Sequence, residues 1–179
     1  SGNTSLANRI EHIEIIDPKD VERFKKLKVT ASMQPNHGTG VIGKYITPRV
    51  GEEREEFAYI WNGFLKSGVR LALSSDFATS PFSPLVQLYD AVFRESPSGL
   101  YDGPWYPEQA LSFDEALYAY TQVGADLAGW GEQIGSISVG KYADFVILDQ
   151  KLSKPVGREL KSTKVSKTYF AGQLIFPKN

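Results

Sequence analysis

The segment Val69-Arg-Leu-Ala-Leu-Ser-Ser-Asp76 is an apolar run that ends on a carboxylate and passes at once into a loop. A strand that delivers a carboxylate to its C-terminal end suggests an active-site rim, because in a barrel of alternating strands and helices the chemistry sits on the strand C-termini. Arg9-Ile-Glu-His12 repeats the arrangement with an imidazole. Together the two read as half of a metal site. An Asp after a strand also serves as a turn former or helix cap, and that plainer role stands beside the catalytic one.

Outward from this segment the chain alternates strand and helix. Residues 9–13 form a short β-branched run. Asp17-Pro18 follows as N-cap and first helical residue, with Val21, Phe24 and Leu27 at helical spacing. Residues 29–34 read as the next strand, closed by Pro35. A glycine-containing loop over residues 36–51 leads to a helix with Phe57, Ile60, Trp61, Phe64 and Leu65 on one face. Its glutamates, Glu52 to Glu56, lie in the first turns, where the helix dipole favours them, and Gly68 closes it. After Asp76, Ser83-Pro84 opens a further helix with Leu85, Leu88, Tyr89, Val92 and Phe93 inward. Three such units in series imply a parallel sheet. Residues 95–111, rich in Pro, Gly, Tyr and Trp, read as a long ordered loop over the barrel mouth. Ser112-Phe-Asp-Glu115 is a capping box that opens a final helix with Phe113, Ala116, Leu117, Tyr120 and Leu127 on its apolar face.

From about Gly135 the pattern becomes four short strands, residues 136–139, 144–149, 165–170 and 173–176, with Ala171-Gly172 as a two-residue hairpin turn. We therefore divide the chain into residues 1–135 and 136–179. A tail of about 45 residues is too small to stand alone and wants strands from elsewhere. Gly135-Ser-Ile-Ser-Val-Gly-Lys141 imitates a phosphate-binding loop, but Tyr142 replaces the required Ser or Thr, and the segment follows a helix instead of opening one.

Composition narrows the function. The 179 residues are 41% hydrophobic and 23% charged, enough for a sizeable core. With 20 basic and 21 acidic residues, no global field gathers nucleic acid or an acidic membrane, so the expected partner is a small molecule. There is no cysteine, which excludes disulfides and thiol chemistry. No run is apolar enough to span a bilayer, and no basic-then-apolar leader opens the chain, so a cytoplasmic location is expected.

Several segments in their order carry a family resemblance: Arg9-Ile-Glu-His12, Ser32-Met-Gln-Pro-Asn-His37, Val50-Gly-Glu-Glu-Arg54, Leu73-Ser-Ser-Asp76, Leu111-Ser-Phe-Asp-Glu-Ala116 and Tyr120-Thr121. The last and most specific is Gly135-Ser-Ile-Ser-Val-Gly-Lys-Tyr-Ala-Asp-Phe-Val-Ile-Leu-Asp149. This resembles the C-terminal third of the amidohydrolase superfamily, in the branch of metal-dependent hydrolases that includes N-substituted formamide deformylase-like and imidazolonepropionase-related proteins. The resemblance implies an α/β fold: part of a (β/α)8 TIM barrel, about strands six to eight with their helices, followed by strands of a small β-sandwich. It further implies that His12 and Asp76 hold a divalent metal, zinc first among candidates, and that Asp76 is the catalytic proton carrier. His37 and Arg54 match polar positions expected to contact substrate, although Arg54 among glutamates also reads as their ion-pair partner.

The same family places a His-x-His pair, a bridging lysine or glutamate and another histidine on strands absent from this chain, where His12 and His37 are the only histidines. By the resemblance these two follow adjacent strands with only one facing the ion. The chain thus reads as a fragment of a hydrolase of amide or cyclic amide C–N bonds, silent by itself, with open barrel edges that favour self-association. The alternative is a stand-alone binding or assembly module that keeps the scaffold without the chemistry.

Overall fold

The computed structural model describes residues 7–40, 42–95 and 102–177. Three parallel strands, β1 (Arg9–Glu11), β2 (Thr30–Met33) and β3 (Leu71–Leu73), form one sheet in the order β1-β2-β3. Helix α1 (Pro18–Leu27) joins the first two, capped by the Asp17 side chain accepting from Lys19 N and ended by Lys28 in the left-handed region. It buries Val21 and Phe24. Leu27 is exposed instead, because six positions along a helix of 3.6 residues per turn carry it off that face. β2 is buried along its whole length and β3 likewise, as befits strands covered on both faces.

Between β2 and β3 the structure departs from the expected loop and single helix. α2 (Pro35–Thr39), a 3-10 turn (Gly43–Tyr45), α3 (Ile46–Val50), α4 (Glu52–Glu55) and α5 (Trp61–Lys66) succeed one another. The expected helix breaks after Glu55 because residues 57–59 pair with the stretch after β1. Ile16 N donates to Phe57 O, Tyr59 N donates to Glu14 O, and Ile15 bridges Ala58. Tertiary hydrogen bonds outweigh local helical periodicity there.

α6 (Pro84–Phe93) packs on α2, and α7 (Phe113–Tyr120), with the capping box in place, packs on α6 and β3. The expected final helix divides at Thr121, with α8 (Gln122–Leu127) beyond it. The core gathers Met33, Trp61, Phe64, Leu71, Leu73, Leu88 and Ala116. Of the expected loop, residues 96–101 lie outside the described residues. The rest packs through Trp105, buried with its indole N–H donating 2.6 Å to Glu55 Oε1, and through the turn Pro107–Gln109.

The C-terminal strands β4 (Phe145–Leu148), β5 (Val165–Phe170) and β6 (Gln173–Phe176) form an antiparallel sheet. Ala171 and Gly172 take φ of 48° and 78° in the turn between the last two, the conformation a two-residue hairpin needs. Residues 136–139 are not a strand. Among the described residues they join no ladder, and Ile137 and Val139 are exposed. Lys141 Nζ is held by Gln122 Oε1 (2.8 Å) and Ile134 O (3.0 Å), which ties the phosphate-loop imitation to α8. Between β4 and β5 the chain returns to the main core, where Leu160 is fully buried.

Candidate functional site

Parallel pairing aligns the C-terminal ends of three strands. Glu11 pairs with Ser32, and Met33 with Leu73, so Gln34 and Ser74 continue in register while His12 falls one position short of Gln34, and all three lie at the C-terminal edge of the sheet. His12 leaves β1 with φ 70°, and Asp76 takes φ 52° just past β3. A left-handed backbone at non-glycine residues is uncommon, and here it turns both chains out of the sheet. Asp76 also accepts from Thr79 N at 2.8 Å through its backbone carbonyl, so the turn-forming role and the placement of the carboxylate coexist.

His37 comes to the same place on α2. That short helix starts at Pro35 and is held to α6: Asn36 N donates to Gln87 Oε1 (3.1 Å), and Asn36 Nδ2 donates to Asp90 Oδ2 (2.7 Å). One ligand atom from each of His12, His37 and Asp76 lies within 4.8 Å of the others. His37 Nε2 is 3.6 Å from Asp76 Oδ2, and the His37 ring stacks on His12 at 5.6 Å between centroids. The expectation that only one of the two histidines faces the shared point is corrected here. α2 folds back over the strand tips and brings the second imidazole in, which a loop reading of residues 36–51 did not foresee.

His37 is 3% exposed, and neither ring nitrogen has a hydrogen-bond partner. Buried polar atoms of native proteins are nearly always paired, so an unpaired Nε2 that lies 3.6 Å from Asp76 Oδ2 and close to His12 fits a cation. Burial pushes His37 below the usual histidine range and His12 acts in the same direction, while Asp76 and Glu14 oppose it. The neutral ring is the ligand form. Two imidazoles and one carboxylate are a donor set suited to zinc or ferrous iron.

Arg54 is not drawn into this group. It is exposed on α4 and its Nε donates to Val50 O at 2.7 Å. Three residues the sequence reading did not single out border the site. Gln34, buried, accepts from or donates to two strand-tip neighbours: its Oε1 lies 3.0 Å from His12 Nδ1 and its Nε2 donates to Ser74 Oγ at 2.8 Å. Tyr59, whose phenol burial and Glu14 raise above the ordinary range, completes the surroundings. The common signal for Gln34 and Ser74 was available: a polar residue directly after an apolar strand, as at His12.

The Amidohydrolase family model matches residues 1–176. The chain is 33% identical over 178 residues to Protein LONG AFTER FAR-RED 3 of Arabidopsis thaliana, covering 99% of this chain and 30% of that protein. It is 31% identical over 173 residues to N-substituted formamide deformylase of Arthrobacter pascens, covering 96% and 31%. Among solved structures, an uncharacterized metal-dependent hydrolase from Pyrococcus horikoshii superposes with a TM-score of 0.65 at 31% identity, over 75% of this chain and 27% of that one. The chain thus spans about a third of the length of the curated relatives it matches. With the family model matched over nearly every residue, the chain belongs to the amidohydrolase family.

Proposed function

We propose that this chain carries the proton-transfer half of a metal-dependent hydrolase that cleaves C–N bonds of small amides or cyclic amides. The parallel sheet would supply about strands six to eight of a (β/α)8 barrel, with β4 to β6 belonging to a sandwich completed by other residues of the whole protein. The observation that carries the reading is the convergence of His12, His37 and Asp76 within 4.8 Å, with both His37 nitrogens unpaired.

His12, His37 and Asp76 would hold a divalent ion, zinc foremost, since three protein groups with an open position are the usual catalytic zinc set. Such an ion lowers the pKa of bound water to about 7 and polarises the scissile carbonyl. Asp76, half-buried, would accept the water proton and deliver it to the leaving nitrogen. The Asp76 backbone carbonyl accepts from Thr79 N, closing the turn that carries the carboxylate. His37 is also a candidate substrate contact of the whole protein, on its chain position. Arg54 stands as a substrate contact of the whole protein on its chain position alone. The family and the likeness to a metal-dependent hydrolase support the reaction class.

Cobalt(II) titration followed by visible absorption tests the site. The chain should take up one equivalent with a low-coordinate spectrum, lost in His37→Ala and altered in Asp76→Asn. Absence of any specific cobalt spectrum, or uptake indifferent to His37→Ala, would remove the proposal. In the whole protein, Asp76→Asn should abolish hydrolysis while leaving the ion bound.

A further inference from the structure

We propose that Gln34 is the positioning residue that sets the His12 tautomer, keeping the proton on Nδ1 and the Nε2 lone pair turned toward His37 and Asp76. This rests on the metal-site reading above. The amide of glutamine has one acceptor end and one donor end. In the observed orientation its Nε2 donates to Ser74 Oγ at 2.8 Å, the serine hydroxyl accepting. The acceptor end therefore faces His12 Nδ1 at 3.0 Å, and only a protonated Nδ1 satisfies it. The other nitrogen is left with its lone pair. Which ring nitrogen of a histidine serves as ligand is set by the hydrogen bond the other one makes.

The reverse orientation would be unfit for a cation. Turned over, the amide would offer N–H to His12 Nδ1, the ring proton would move to Nε2, and a positive N–H edge would point at the site. Gln34 is 2% exposed, so water does not compete for either end, and its hydrogen bonds place it between His12 and Ser74. A neutral amide also orients His12 without adding a second negative charge beside Asp76. One buried side chain thus links the tips of all three strands and decides whether His12 can act as a ligand.

Nitrogen-15 labelled histidine and long-range proton–nitrogen correlation read the tautomer directly, without metal, above the histidine titration range. The chain has only two histidines, so His37→Ala assigns the spectrum. We expect Nδ1–H at His12 in the unmodified chain, mixed tautomers in Gln34→Met, and restored Nδ1–H in Gln34→Glu, whose carboxylate accepts as the amide carbonyl does. Cobalt affinity should fall about 10- to 100-fold in Gln34→Met and be kept in Gln34→Glu. Nε2–H in the unmodified chain overturns the proposal, as does an unchanged tautomer in a folded Gln34→Met. If Gln34→Met does not fold, the unmodified chain and Gln34→Glu decide by the same signal. A locked tautomer without cobalt uptake would support the Gln34 role and count against the metal reading; cobalt uptake with an unlocked ring would do the reverse.

Discussion

Replacing Asp90 by asparagine should stabilise the protein at neutral pH and leave it unchanged in acid. Asp90 lies buried on α6, where its Oδ2 accepts from Asn36 Nδ2 at 2.7 Å and so helps to hold the helix that carries His37. Burial pushes its carboxyl from 3.8 up to about 6, with Glu95 adding to the rise, while hydrogen bonds from Asn36 and Thr39 and the charge of Lys161 oppose it. The folded state therefore holds more protons than the unfolded one between these two values. Stability contributed by the protonated group is fully present below 3.8 and is lost as pH rises to about 6. A rise of roughly two units, at about 1.4 kcal/mol each, makes ionised Asp90 cost about 3 kcal/mol at pH 7. Asp90→Asn keeps a carbonyl to accept from Asn36 and removes the charge. Urea unfolding followed by tryptophan fluorescence should show the variant ahead by up to about 3 kcal/mol at pH 7, with the curves merging near about pH 3. A variant less stable at pH 7, or one with the same pH dependence as the parent, would refute the reasoning.

Two further predictions concern organisation. Leu160 is fully buried in the main core, so Leu160→Ala should cost about 2–5 kcal/mol and shift the transition reported by buried Trp61 and Trp105; a shift confined to the β4–β6 sheet would show that the tail melts as a separate unit. Among the described residues β1 and β3 each pair on one side only, and Val146, Ile147, Phe170, Leu174, Ile175 and Phe176 are exposed. Such edges and apolar faces invite further pairing, so the isolated chain should sediment as concentration-dependent oligomers, and a single monomeric species at every concentration would contradict this.

The amino-acid order by itself determined the elements with strong local chemistry. The apolar runs around Ala31 and Leu71 became buried parallel strands, Asp17-Pro18 and Ser112 to Glu115 became caps, and Ala171-Gly172 became the hairpin turn. It also placed His12 and Asp76 at strand tips, because strand ends and turn residues are signalled by their immediate neighbours. Only the tertiary structure decided what those tips share. His37 enters because Asn36 is bonded to Gln87 and Asp90, which lie more than fifty positions along the chain, and the helix predicted through Phe57 breaks because its residues bond instead to the stretch after β1. Residues 136–139 carry an alternating pattern yet have no neighbouring strand among the described residues to complete their hydrogen bonds. Periodicity records which face of a segment is apolar; which distant group meets that face, and which buried nitrogen is left without a hydrogen-bond partner, depends on contacts that local sequence does not encode.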